Sequence, residues 1–229
     1  MSVRIDRRQA LIGGRLVVAF SFAGRALAQL AGGGEGGAAP QVLRPDLPGS
    51  LKSHPELDSW IRIAPDGAVT VFSGKAELGQ GIRTALLQVA AEELDVPPAT
   101  ISFITADTAR TPDEGLTAGS HSMQDGGTAL ANAGANVRML LTREAARQWT
   151  LPAETLATDG HGHVTAPDGR RIGYGVLAAS LSLHVEAVAN APRRDPAAYR
   201  TMGRNLPRVD IPAKLTGGEA YVQDLRLPG

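Results

Sequence analysis

A chain of 229 residues with 43% hydrophobic content can bury one sizeable core, or one domain with a small partner. Its 23 basic and 23 acidic residues cancel and only 4% of residues are aromatic, which excludes the basic footprint of a nucleic-acid or anionic-membrane binder and the stacking platform of a single-strand binder. With no cysteine, the chain holds no disulfide, thiolate nucleophile or Cys-ligated iron–sulfur cluster, so any such cluster belongs to another chain.

The N-terminus reads as an address. Arg7 and Arg8 precede an apolar stretch over residues 16–23, and Ala26-Leu27-Ala28 offers a small-residue cleavage site. That order is a signal peptide over residues 1–28, and the arginine pair is of the twin-arginine type, so the expectation is export to the periplasm or the periplasmic face of the inner membrane. An ordinary amphipathic helix with two surface arginines, and an uncleaved anchor, are the alternatives. Residues 32–37 are nearly all glycine, followed by Ala38-Ala39-Pro40 and by Pro45, Pro48 and Pro55. They predict a flexible tether over residues 29–58.

Beyond it, residues 60–63 and 69–72 alternate as strands around a Pro65-Asp66-Gly67 turn and predict a hairpin. After a glycine-bearing turn at 74–81, Ile82, Leu86, Val89, Ala90 and Leu94 recur at helical spacing, and Pro97-Pro98 ends the helix they predict over 82–94. Residues 100–104 read as a strand and 107–127 as a long polar loop, a length that points to function. A second helix is predicted over 128–149, with Leu130, Val137, Leu140, Leu141 and Ala145 inward. A short hairpin (155–158 with 163–165), a helix over 174–181, a linker over 191–202 and a strand at 220–222 complete the reading. The fold class expected is α+β, a mixed β-sheet with two long helices packed on it.

Two segments carry chemistry. In Glu77-Leu78-Gly79-Gln80-Gly81 two glycines flank one amide directly before a helix. Glycine permits close backbone approach, the N–H groups at a helix start favour an anion such as phosphate, and Gln80 can donate and accept at once. The spacing alone also suits a structural helix-entry turn. The second segment, Thr117-Ala118-Gly119-Ser120-His121-Ser122, gathers hydroxyls and small residues in the long loop, although it also suits a solvated loop capping the next helix. A Ser–His nucleophile lacks the G-x-S-x-G elbow here. His161 and His163 flank Gly162 beside a turn without an evident third ligand, and a surface hairpin explains them better than a metal site.

Together these segments resemble the molybdenum hydroxylases, the xanthine oxidase family. Residues Lys75-Ala76-Glu77-Leu78-Gly79-Gln80-Gly81 with Thr84, Gln88 and Glu92-Glu93-Leu94 are similar to that family's first cofactor segment and its helix. Asp107-Thr108, Thr111-Pro112 and the stretch from Thr117 to Ser122 resemble the second. The variant most resembled is the large, molybdopterin-binding subunit of the isoquinoline 1-oxidoreductase type, which includes nicotinate and membrane-associated aldehyde dehydrogenases. The resemblance implies a molybdopterin-binding domain over 59–190 and, from Gly203-Arg204-Asn205-Leu206-Pro207 onward, the start of a hammerhead-type domain over 203–229.

It further implies that Gly79, Gln80, Gly81, Thr117, Ala118, Gly119, Ser120, His121 and Ser122 bind a molybdopterin cytosine dinucleotide cofactor shared with absent domains. It implies hydroxylation of an N-heteroaromatic or aldehyde carbon with water-derived oxygen, electrons passing to a small two-cluster iron–sulfur subunit and a c-type cytochrome. The family's catalytic Glu has no counterpart in this chain, so no catalytic residue and no metal ligand is assigned. His121 stands where many relatives carry Arg, and Gly126-Gly127 replaces a commoner single glycine. The alternatives are a non-catalytic cofactor-binding or assembly module, and a truncated inactive fragment.

Overall fold

The computed structural model describes residues 43–218 together with Ala220, Tyr221, Asp224 and Arg226. The signal peptide and the glycine stretch of the tether lie outside the described residues. The main sheet has three strands: β1 (Ile61–Ile63), β2 (Val69–Ser73) and β3 (Ile101–Thr105). β1 pairs antiparallel with β2, Ile61 opposite Val71, and β2 pairs parallel with β3, Val71 opposite Phe103. A parallel pair needs a long crossover. Helix α1 (Ile82–Leu94) provides it, so the turn between β2 and α1 lies at the carboxyl end of β2. Open sheets with helical crossovers present ligand crevices beyond such strand ends.

Helix α2 (Thr128–Trp149) runs 22 residues and packs on α1. Gly134 marks the close approach, because a Cβ there would stand 2.8 Å from the Cβ of Glu93. The core joins both helices to the sheet through Trp60, Ile61, Val71, Leu86, Leu130 and Leu141, all fully buried. A second, antiparallel sheet contains β4 (Ala157–Thr158), β5 (His163–Thr165) and β6 (Arg171–Gly173), and leads into the short helix α3 (Tyr174–Ala178). The buried Tyr174 hydroxyl donates to Leu94 O at 2.8 Å and fastens this unit to the end of α1. A mixed main sheet with two long helices gives the α+β class expected from the sequence.

Several expectations need correction. Residues 43–58 are not part of a flexible tether. Leu47, Leu51 and Leu57 are in the core, and residues 55–58 hydrogen-bond to 183–187 through Leu57 N to Val185 O, Asp58 N to Leu183 O and Ala187 N to Pro55 O. The long loop is shorter than predicted, because Ser122–Gly127 forms a π-helical turn that runs directly into α2. Such widened turns recur at functional sites. Strand β6 gives no signal in the sequence, since Arg171-Ile172-Gly173 is too short to show alternation. The expected strand at 220–222 is not seen at Ala220 or Tyr221, and Val222 lies outside the described residues. Helix α4 (Ile211–Thr216) precedes it instead, with Pro212 in its first turn and Gly217 closing it at φ 73°.

The linker expected over 191–202 is anchored rather than free. Residues 188–209 form a strap fixed by side chains of both long helices. The buried Asn136 amide accepts from Val188 N (2.9 Å) and donates to Val188 O (3.1 Å). The Glu93 carboxylate pairs with Arg193 and accepts from Arg194 N at 3.1 Å. Asp95 pairs with Arg194 at 2.8 Å. Ten of the thirteen residues of α1 are consequently buried, including the polar Thr84, Glu92 and Glu93. The apolar stripe read from sequence faces the sheet and α2, and the strap covers the polar side.

Candidate functional site

The turn after β2 is organised by Glu77. Its Oε1 accepts from Gly79 N (2.8 Å) and Gly81 N (2.9 Å), and its Oε2 from Arg83 N (3.0 Å). Burial pushes the Glu77 carboxyl up, but the N–H donors of Gly81, Arg83 and Gly79 outweigh it and hold the group below the usual carboxylate range. The N-cap residue of α1, Gly81, sits at φ 85° and offers no capping side chain. Glu77 takes that role from outside the helix. Of the N–H groups that open the helix, Glu77 thus takes that of Arg83, together with those of Gly79 and Gly81 in the turn before it.

Gln80 is exposed and bonded to its own turn. Its Oε1 accepts from Leu78 N at 2.6 Å and its Nε2 donates to Ala76 O at 3.0 Å. A primary amide has two N–H donors and two acceptor lone pairs, so one of each stays free for a ligand. Gly79, at φ 103°, has no heavy atom within 4 Å of where a Cβ would lie, so that side of the turn is open.

The second segment is held to the first by the buried Lys75 and the half-buried Glu114 and Thr117. Lys75 is 1% exposed, and its Nζ donates to Glu114 O at 2.6 Å and Leu116 O at 3.4 Å. The Glu114 carboxylate accepts from Ser73 Oγ (2.6 Å) and Gly74 N (2.8 Å). Ala76 N donates to Thr117 Oγ1 at 2.8 Å, which leaves the Thr117 hydroxyl proton free to donate onward. Gly126 passes so close that a Cβ there would meet Glu114 Oε1 at 2.6 Å. Ser120 adopts φ 62°, a left-handed conformation unusual for a side-chain-bearing residue. The His121 ring pairs with Asp125 Oδ2 at 3.1 Å, i to i+4, at the start of the π-helical turn.

The two segments enclose a cleft of ≈ 520 Å³. Of the nine residues singled out in the sequence, Gln80, Gly81, Thr117, Ala118, Ser120 and Ser122 line it, with Ile82, Ala85 and Met123 as its apolar side. Gly79, Gly119 and His121 are not among its lining residues. A neighbouring cleft of ≈ 630 Å³ shares Leu78, Thr117 and Ala118 and extends toward Thr108 and Thr111. The exposed side chain of Leu78 thus stands between the two. On the other hairpin, Arg171 ion-pairs with Asp159 Oδ2 at 2.6 Å and lies 3.0 Å from His163 Nδ1, a surface arrangement without a metal-ligand set among the described residues.

Three polar residues of this region escape a reading of the sequence. Lys75 enters only within a motif, and Glu114 only within a polar loop; neither residue type announces its partners until the fold is known. The third, Arg208, donates from Nη1 to Gly79 O at 2.8 Å from 129 positions away. No local pattern announces such a contact.

Comparison with known proteins gives this geometry a context. Residues 40–211 match the family model of the molybdopterin cofactor-binding domain. A nicotinate dehydrogenase subunit of Pseudomonas putida is 38% identical over 173 residues, which is 76% of this chain and 14% of that protein. The beta subunit of isoquinoline 1-oxidoreductase from Brevundimonas diminuta is 30% identical over 212 residues, 74% of this chain and 27% of that protein. A membrane-bound aldehyde dehydrogenase of Gluconacetobacter polyoxogenes is 31% identical over 191 residues, covering 80% of this chain and 24% of that protein. The chain therefore spans between 14% and 27% of the length of these relatives.

Proposed function

Because the chain belongs to the molybdopterin cofactor-binding domain family of the molybdenum hydroxylases, we propose that its first cleft receives part of the molybdenum cofactor, in the cytosine dinucleotide form. The observation that carries this reading is the convergence of the Gln80 amide with the Thr117, Ser120 and Ser122 hydroxyls on one cleft of ≈ 520 Å³. The donor set suits the group. A pterin edge alternates donors and acceptors, Gln80 keeps one of each free, and hydroxyls turn to either role. The open side at Gly79 lets backbone approach a flat ring.

The residues assigned to hold it are Gly79, Gln80, Gly81, Thr117, Ala118, Gly119, Ser120, His121 and Ser122. When bound, the group supplies a two-electron acceptor for hydroxylation with oxygen taken from water. This chain's residues bind and orient it. No catalytic residue or metal ligand is assigned here, so the rest of the site falls to further parts of the large subunit. For the complete enzyme we take the substrate to be an N-heteroaromatic or an aldehyde, in keeping with the names of the relatives. Electrons then pass to a small two-cluster iron–sulfur subunit and on to a c-type cytochrome, a division consistent with a chain that has no cysteine. Export under the Arg7-Arg8 signal, to the periplasm or the periplasmic face of the inner membrane, belongs to the same proposal.

The test is molybdenum and cytosine nucleotide content of the full chain, purified from an exporting host alone and together with the products of adjacent genes. Metal with matching cytidine monophosphate in the co-expressed sample is the expected result. Metal in the lone chain points to a cofactor carrier instead. Neither metal nor nucleotide in either sample sinks the reading.

A further inference from the structure

We infer that Arg208 is a positioning residue for the cofactor turn, holding residues 77–81 in shape from the far end of the strap. Three side chains of α1 spaced four apart, Thr84, Gln88 and Glu92, face the strap and bond its backbone. Thr84 Oγ1 accepts from Val209 N at 3.0 Å. Gln88 Nε2 donates to Thr201 O and Arg204 O at 3.0 and 2.9 Å. Glu92 Oε2 accepts from Arg200, Thr201 and Met202 N at 3.0, 2.6 and 3.0 Å. The strap is thereby laid along the helix toward its N-terminus, and it ends at the turn.

There Arg208 is set before it reaches the turn. Asp210 grips it on two sides, Nε to Oδ1 at 3.0 Å and Nη2 to Oδ2 at 2.7 Å, and Lys214 steadies Asp210 at 2.6 Å. A guanidinium is planar, so a fork fixed on one edge aims its remaining N–H groups. Nη1 meets Gly79 O at 2.8 Å and Nη2 approaches Glu77 Oε1 at 3.3 Å. One cation thus binds the carbonyl of the residue before Gln80 and the carboxylate that gathers three N–H groups of the turn. The Gly79–Gln80 peptide plane, and with it the direction of the Gln80 side chain, depends on that grip. A lysine ammonium lacks the planar fork that holds Asp210 on one edge while aiming at Gly79 O from the other end.

As far as it concerns the cofactor, this inference rests on the function proposed above; as far as it concerns the turn, it does not. The experiment separates the two. Amide hydrogen exchange is followed in the full chain purified with the products of adjacent genes, for wild type, Arg208→Gln, Arg208→Lys and Asp210→Asn, beside molybdenum and pterin content. In Arg208→Gln, exchange in residues 79–83 should rise about tenfold while the buried middle of α2 keeps its protection, and pterin content should fall by a similar factor. Arg208→Lys should recover only part of both, and Asp210→Asn should fall between. Unchanged exchange at 79–83 overturns the inference, and so does a rise shared equally by α2, which makes Arg208 a general structural support. Loosened exchange with no pterin in the wild type upholds the clamp and sinks the cofactor reading alone.

Discussion

The carboxylate of Glu92 on α1 accepts three consecutive backbone N–H groups, those of Arg200, Thr201 and Met202, which are 108 to 110 positions away in sequence. It is 2% exposed, and besides these main-chain donors it pairs with one strap side chain, Arg194 Nε at 3.2 Å. A buried carboxylate satisfied in this way is stabilising only while every donor stays in place, and its removal leaves three N–H groups without partners. Glu92→Ala should destabilise the fold by about 3 kcal/mol, read as a lower urea midpoint. Proteolytic cleavage should then appear first within residues 188–209. A midpoint within experimental error of wild type would show that the strap is held elsewhere.

The crossing of the two long helices is equally specific. Gly134 faces Glu93 so closely that an added Cβ would lie 2.8 Å from the Glu93 Cβ, a rigid position rather than the tip of a flexible chain. Although alanine is the better helix former, Gly134→Ala should cost about 2 kcal/mol through displaced packing. Thermal unfolding measures this, and an increase in Tm would mean the helices separate without loss.

Lys75 ties the two candidate site segments together. Its buried ammonium is bonded to the Glu114 and Leu116 carbonyls, and Lys75→Met keeps the length while removing the donors. The expected cost is about 2 kcal/mol. Exchange should rise in residues 113–118, next to Thr117, and pterin content should fall with it. Full pterin content in this variant would separate the buried lysine from the shape of the cleft.

Acid should weaken the fold in a defined window. Glu144 is held at about 2, chiefly by its hydrogen bond from Arg147, with Gln148 adding to it. Asp210 is lowered by the hydrogen bonds of Arg208 first and Lys214 next. Glu77 is raised by burial but lowered on balance by its N–H donors. In each case the folded group gives up its proton more readily than the unfolded one. Their contribution is therefore complete above the usual values of 4.5 for Glu and 3.8 for Asp and is lost as pH falls through the folded values. The urea midpoint should be level from about pH 7 to about pH 5 and decline steadily below that. A midpoint that rises on acidification would contradict the assignment.

Both long helices are legible in the sequence, because apolar side chains at 82, 86, 89, 90 and 94 and at 130, 137, 141 and 145 carry the period, and Pro97-Pro98 ends the first. Six of the nine proposed site residues also meet in one cleft, since two short motifs on adjacent turns are brought together by the β2–α1–β3 unit. The strap is not legible. Its anchors are side chain to backbone, and a main-chain N–H leaves no mark on the sequence around it. Thr84, Gln88 and Glu92 are visible as a polar stripe, but such a stripe reads as a solvated face until its partner is known. Helix α4 has its signals in place, Pro212 at the start and Gly217 at the end, but its six residues are too few to show a helical period.

The separation of Gly79 from Arg208 also sets an order of events during synthesis. A nascent chain that has emerged as far as the end of α2 already contains both candidate site segments, the π-helical turn and the α1–α2 crossing. It lacks the residue whose guanidinium meets Gly79 O, because that residue lies 129 positions downstream. The turn exists early as a set of atoms and late as a finished shape. Loading of a ligand that depends on the finished shape accordingly follows the docking of the strap.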